Sequence, residues 1–455
     1  MAKKSGLTMR TRLGYAAGEM GTTLSFYMIS NYLTMYYVDG VGIAAAVVSG
    51  LILVVRLIEA FSAPVIGSVI DRTASKFGQA RPWILYGTPF LILFAILTFT
   101  SFNLGDTGNV VYAIVSYIGL AIAFSFVDTA KSALANTITA DADDRVTLNG
   151  WRQACGNVLN TVLAAITMPL ILMFGNNATA YTYTAAIYAI ASLPLLMFCF
   201  TSCKETVRSA GAGERITVRE SLMSAVTNSQ LLLIVLSTTI SCIGVFSRLG
   251  VMTFYYNYAV GRPDATGLIL AGFQIAQILP PFVAPFIIKK LNKKGALILG
   301  NAGMAASAVF LFLIGFDNVA LVFVGTFLLG FFGFSSFVCI CAVSDCIEYN
   351  YNTKGNRNPG ASVGAITFGV KLAMAIGGAL GALLIGFTGY VSGADLTMEV
   401  RTNISLVVNI VPAVFFALSA VPALLYKLDN KEMERIQKEN SAKDAAAAAA
   451  EKSVA

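Results

Sequence analysis

Eight ionisable side chains stand inside otherwise apolar runs of this sequence: Glu19, Arg56, Glu59, Asp128, Lys131, Arg152, Arg248 and Lys371. Arg56 and Glu59 are three residues apart, and Asp128 and Lys131 repeat that spacing. Residues three apart in a helix share a face, so each acid can reach its own base. The five bases nevertheless outnumber the three acids, and the excess of about two positive charges calls for water, lipid headgroups or an anionic or polyhydroxy ligand. A carboxylate in such a setting is pushed up by desolvation or down by a neighbouring base, and a protonation state that follows helix arrangement is what proton coupling requires. The chemistry indicated is binding and proton transfer, without bond making. The absence of His removes the commonest metal ligand and the usual acid–base group near neutral pH. The seven Cys show no zinc-like spacing and read as inert core residues. No nucleophile, metal or cofactor motif is present, so neither an enzyme nor a bound cofactor is expected.

The elements that must hold these groups follow from composition. Of 455 residues, 56% are hydrophobic and 12% charged, against about 25% charged in soluble domains. That excludes a soluble enzyme, a disordered chain and a nucleic-acid module. Twelve apolar runs of bilayer-spanning length are expected near 13–37, 45–70, 83–102, 110–137, 151–174 and 181–201, then 231–258, 266–288, 296–316, 320–343, 361–391 and 404–426. The fold class is therefore an all-α polytopic membrane protein. Of the 31 basic residues, five lie in the apolar runs and two (Arg262 and Arg401) in loops of one parity, and the rest lie in the termini and the loops of the other parity. That bias places both termini in the cytoplasm of a cell (inner) membrane protein, and it accounts for the net charge of +7 with no nucleic-acid partner. The basic start (Lys3, Lys4, Arg10, Arg12) leads into a span too long for a cleavable signal, so the first helix is expected to be retained.

A polar stretch divides six spans from six, giving an N-terminal bundle at 1–202, a central cytoplasmic loop at 203–230, a C-terminal bundle at 231–426 and a charged, Ala-rich tail at 427–455. The halves echo each other: Tyr36-Tyr37-Val38-Asp39-Gly40-Val41-Gly42 closes the first span, and Tyr255-Tyr256-Asn257-Tyr258-Ala259-Val260-Gly261 closes the seventh at an offset of 219, as a six-helix duplication requires. The tail reads as a helical extension that frays. Gly377-x-x-x-Gly381 reads as close packing within one chain, so a monomer is expected.

Two loop motifs flank the spans. Gly67 to Thr73 runs on to Gly78-Gln79-Ala80-Arg81-Pro82-Trp83, and Ser344-Asp345-Cys346-Ile347-Glu348-Tyr349 runs on to Lys354-Gly355-Asn356-Arg357-Asn358-Pro359-Gly360. Charged networks at helix ends can lock two bundles and release them when a cavity fills. Together with Gly18-Glu19, the Tyr-Tyr-x-Asp end of the first span, Arg56-x-x-Glu59, Asp128, Arg152 and Lys371, these motifs resemble the glycoside–pentoside–hexuronide:cation symporters. That melibiose permease-like family belongs to the major facilitator superfamily, and the similarity runs from about residue 10 to residue 426.

The resemblance implies two pseudo-symmetric six-helix bundles, a central sugar site, alternating access and cation-driven uptake. Family members carry two Asp in the second helix that act with a fourth-helix Asp as a Na⁺, Li⁺ or H⁺ site; here Glu59 holds the first place and Ala63 the second. Asp128, Arg152 and Lys371 match the family's helix-four acid, helix-five Arg and helix-eleven Lys. Thr22 and Thr23 replace an adjacent Lys and Asp, Ser132 (preceded by Lys131) replaces a sugar-stacking Trp, and Pro359 replaces a Glu. The implied coupling residues are Glu59, Asp128 and Thr23. The implied substrate residues are Asp128, Arg152, Lys371, Lys131, Ser132 and Thr22, with gating by Asp71, Arg72, Arg81, Asp345, Glu348 and Arg357. A hard cation wants several oxygen ligands, preferably anionic, and this site has lost a carboxylate and gained an ammonium. H⁺ on Glu59 or Asp128 is therefore expected in place of Na⁺. The surplus positive charge favours an acidic sugar such as a hexuronide. The alternatives are an uncoupled sugar facilitator and a lysophospholipid-type transporter of the same fold. The polar set Thr22, Thr23, Asp128, Lys131, Ser132, Arg152 and Lys371 argues against the lipid cargo, leaving a small sugar or glycoside and the lipid bilayer as partners.

Overall fold

The computed structural model describes residues 7–454 except 74, 103, 140–141, 207–222, 224–225, 356–358 and 392–395, with the backbone alone at 60, 63–64, 68, 71, 136, 142–143, 146, 281, 359–360 and 444–454. Regular structure among the described residues is helical, apart from an isolated bridge between Ser75 and Gly78. The helices are α1 (Met9–Met35), α2 (Ala45–Arg72), α3 (Arg81–Thr98), α4 (Gly105–Ile138), α5 (Ala142–Met173), α6 (Ala178–Ser202), α7 (Ser229–Leu249) and α8 (Pro263–Ala276). They continue as α9 (Pro280–Leu313), α10 (Val319–Phe332), α11 (Phe334–Lys354), α12 (Pro359–Gly386), α13 (Met398–Ser405), α14 (Val411–Leu425) and α15 (Asn430–Val454). We call the end at which α1 starts the near end and the end at which it stops the far end.

Short polar residues start several of these helices, as the unpaired amides of a first turn require. Thr8, Asn177, Asn318 and Thr397 cap α1, α6, α10 and α13 with their side chains. Among the described residues nine helices are long and apolar enough to cross a membrane. Three other expected spans fall on α1 and α2, which carry the polar and charged groups, and on α8. The expected eighth span, 266–288, is interrupted: α8 stops at Ala276, and Pro280 and Pro281 open α9, where the missing proline N–H costs nothing because a first-turn amide has no intrahelical partner. The boundary between the eighth and ninth spans is Asn292, at φ 59° and ψ 177° inside α9. Its Oδ1 accepts from Gly295 N at 2.8 Å and so caps the second part of the helix. The expected tenth span, 320–343, is broken at Gly333 and runs on to Lys354.

The chain forms two compact units, the first made of Met1–Gly213, Ser247–Gln274 and Gly378–Val408 and the second of Glu214–Phe246, Ile275–Gly377 and Asn409–Ala455. In the first, Gly14, Gly18 and Gly21 line one side of α1. A Cβ at Gly18 would fall 2.7 Å from Cys199 Sγ, so the bare backbone is what lets α6 lie against α1. The second is built on Leu231, Ile234, Ala296, Phe334, Val338 and Tyr426, and the first part of α15 adds Met433 and Ile436 to that core. The tail expected to fray is thus helical and docked at its start. Large exposed apolar side chains such as Phe61, Phe90, Phe282, Phe286 and Phe387 form a surface suited to lipid.

Candidate functional site

Two helices of the first unit meet at one ammonium, and a third joins through a shared carboxylate. Lys131 of α4 is 1% exposed and donates to Glu19 Oε2 of α1 at 2.7 Å, Thr22 Oγ1 of α1 at 2.8 Å and Asp128 Oδ1 at 2.7 Å. An ammonium has three protons, and all are used. A buried ion survives only when paired and fully hydrogen-bonded, and Lys131 meets both conditions. Thr22 passes the link back to its own helix by donating to Glu19 O at 3.0 Å. Glu19 Oε2 also accepts from Arg152 Nη1 of α5 at 3.3 Å, with Arg152 29% and Glu19 25% exposed. Asp128 is 41% exposed, so the carboxylate that holds Lys131 is also the cluster's most open member. Gly156 is part of the geometry, since a Cβ there would sit 3.2 Å from Glu19 Cγ.

The second pair stays within one helix. Arg56 Nη1 donates to Glu59 Oε2 at 2.7 Å, the side chains 8% and 18% exposed, and the guanidinium lies over the Phe26 ring at 5.3 Å. No hydrogen bond or ion pair joins Glu59 to Asp128 among the described residues. Thr23 is half-buried and Ser132 exposed, both beside the Lys131 cluster in sequence. Ala63 lies in α2 with its side chain outside the described set. Lys371 is half-buried on α12, in the second unit. Among the described residues no carboxylate lies within ion-pair distance of Lys371 or Arg248, and Arg248 Nη2 donates to Tyr256 Oη at 2.9 Å. Nor do three His, Cys, Asp or Glu side chains gather as a metal site.

Each loop motif forms its own local network. Arg81 opens α3, donates to Phe200 O from Nε (3.0 Å) and Nη2 (2.8 Å), and lies over the Phe200 ring at 4.5 Å. Glu205 holds the turn before it by accepting from the amides of Gln79, Ala80 and Arg81 at 2.8–3.0 Å. Ala80, the residue before α3, has no capping side chain of its own, so Glu205 supplies one from beyond α6. Gly78 leaves the room, because a Cβ there would be 2.5 Å from the Glu205 carboxyl carbon. In the second unit Asp345 accepts from Lys293 Nζ at 2.6 Å, and Glu348 Oε2 accepts from Asn440 Nδ2 at 2.8 Å. Arg72 is exposed at the end of α2, while the Asp71 side chain and all of Arg357 lie outside the described residues. Cys203, just past α6, has its thiol held well above the ordinary value by a hydrogen bond with Cys199 and by burial, in line with inert cysteines.

Sequence reasoning missed three of these parts. Glu19 was placed among the buried acids but outside the site, since nothing in its spacing points to α4 and α5. Glu205 sits in a charged stretch, with Gly78 before an uncapped helix as the available signal. Asn440 lies in a low-complexity tail.

The comparisons with known proteins agree with this architecture. The sequence profile of the family described as MFS/sugar transport protein matches residues 14–430. An isoprimeverose transporter of Lactiplantibacillus pentosus is 30% identical over 431 residues, covering 92% of this chain and 89% of that protein. A glucuronide carrier protein homolog of Escherichia coli (strain K12) is 27% identical over 436 residues, covering 94% and 95%. The crystal structure of a D-xylose-proton symporter superposes with a TM-score of 0.67 over 93% of this chain and 98% of that one at 14% identity, which is a likeness of fold.

Proposed function

This chain belongs to the MFS/sugar transport protein family, and on that premise we propose that it imports a sugar or glycoside by alternating access, coupled to H⁺ through Asp128. It is a multi-pass membrane transporter of the major facilitator fold and not an enzyme. The observation that carries the proposal is the saturated ammonium of Lys131, tied to Asp128 on its own helix and to Glu19 and Thr22 on α1. A proton arriving at Asp128, the most exposed of the three charged groups, removes one of the two anions that hold the ammonium. Lys131 then leans on Glu19, which loosens the share of Glu19 that Arg152 holds. A polyol entering beside Arg152, Ser132 and Thr23 competes for the same donors, so proton and sugar act on one set of hydrogen bonds. Glu59 serves in this reading as the fixed countercharge of Arg56.

Na⁺ is disfavoured because an ammonium already occupies the space between the carboxylates. Lys371, with Thr22 and Lys131, completes the substrate set, and Arg248 and Lys371, which have no carboxylate partner among the described residues, support acceptance of a hexuronide. Both termini lie in the cytoplasm, Arg72, Arg81, Asp345 and Glu348 act as gating groups, and the carrier works as a monomer of two six-helix halves joined by 203–230.

Uptake of labelled neutral glycosides and hexuronides into proteoliposomes tests the proposal under an inward pH gradient, a Na⁺ gradient or neither. Accumulation with the pH gradient alone, lost in Asp128→Asn, is expected. Accumulation driven by Na⁺ alone would overturn it.

A further inference from the structure

The far end of the first unit holds a carboxylate bonded by two phenols, outside the proposed sugar site. α1 runs into a π-helical turn at Tyr36–Gly40, and the chain after α7 does the same at Tyr255–Ala259. The two turns match bond for bond at the offset of 219. Val41 N donates to Tyr36 O and Val260 N to Tyr255 O, while Ile43 N donates to Tyr37 O and Arg262 N to Tyr256 O. Gly42 and Gly261, at φ 81° and 71°, end both. At this offset Asp39 is the equivalent of Tyr258, and the two residues touch: Tyr258 Oη donates to Asp39 Oδ2 at 2.5 Å. Tyr390, beyond α12, donates to the other oxygen, Oδ1, at 2.8 Å. The Tyr258 and Tyr390 rings lie 4.8 Å apart, and Phe254 meets Tyr390 edge-on at 5.6 Å.

Two repeat-equivalent residues bonded to each other mark the line about which the repeat is arranged, so this carboxylate joins an end from the first half of the sequence to two from the second. Bonds from a neutral donor to a carboxylate are stronger than neutral ones, yet an ångström of separation removes them. Beneath the cluster, Thr253 Oγ1 donates to Asn31 O at 3.2 Å, and Asn257 Nδ2 reaches Met35 Sδ at 3.5 Å. We propose that Asp39, Tyr258 and Tyr390 form the far-side latch of the carrier, holding the ends of α1, α7 and α12 together when bonded and opening that route when released. The proposal rests on the transporter reading but not on the identity of the sugar.

The test uses Met35→Cys as a reporter beneath the latch, where the native residue is 2% exposed, and a membrane-impermeant maleimide added on the side opposite the termini. Tyr258→Phe with Tyr390→Phe keeps both rings and removes both donors. The reporter thiol is expected to label about tenfold faster than with the phenols intact, and an unchanged rate overturns the latch. In a second arm, Asp39→Cys with Tyr258→Cys is joined by a short bis-maleimide. Uptake is expected to fall sharply on joining, relative to the same variant left unjoined, and undiminished uptake after complete joining also overturns it. Labelling needs no substrate, so a protein that labels as expected but moves no sugar keeps the latch and removes the sugar reading.

Discussion

The two charged clusters of the first unit use the same spacing of acid and base and end in different places. Arg56 and Glu59 close on each other within α2, both largely enclosed. Asp128 and Lys131 also pair, but the ammonium goes on to Glu19 and Thr22 of α1, Arg152 of α5 joins at Glu19, and Asp128 stays open. A pair that is complete within one helix fixes that helix's place. A pair shared among three helices records how they stand relative to one another, and in the proposed mechanism a proton on the exposed carboxylate changes that record.

The sharpest break between the clusters is expected from Asp128→Asn. It should abolish accumulation driven by a pH gradient while moving unfolding in detergent by no more than about 1 kcal/mol, because Glu19 still pairs the ammonium and the Asn amide oxygen can accept its third proton. Stability unaffected and accumulation retained would place the coupling proton elsewhere. Glu59→Gln should act in the opposite sense. It strands the enclosed Arg56 guanidinium and costs about 2–3 kcal/mol in thermal unfolding, and adding Arg56→Met should recover most of that loss. Glu205→Ala removes the cap of α3 and should cost about 1–2 kcal/mol, read as faster hydrogen exchange at the amides of Gln79, Ala80 and Arg81. The smallest effect is expected from Asn440→Ala, about 0.5–1 kcal/mol, seen as faster exchange across the start of α15. Equal exchange in that variant would show that Met433 and Ile436 alone hold the tail.

The same contrast explains what could be read beforehand. Spacing along one helix is local geometry, so Arg56–Glu59 and Asp128–Lys131 follow from the order of residues. Apolar run length places the spans, and Asn292 turns the backbone in the polar gap between the eighth and ninth runs, whereas the Pro280-Pro281 pair shows where run length misleads: the eighth run continues across it while the helix breaks. Glu19 to Lys131 and Arg152, Glu205 to the α3 amides and Asn440 to Glu348 join residues distant in the chain. Such contacts depend on which faces meet, which periodicity does not encode. Gly18, Gly78 and Gly156 were the faint marks of those meetings, each a missing side chain opposite a functional group.

The paired π turns constrain how this chain tolerates insertions and deletions. An α-helix advances about 100° per residue, and a π turn absorbs one extra residue. Deleting one residue from 36–40 would restore an α-helical turn and rotate everything beyond it, Asp39 included, away from Tyr258. Deleting one from 255–259 would do the same from the other side. The two segments are therefore bound to a common length, and a one-residue deletion in either is expected to disable the carrier even where every remaining side chain is kept.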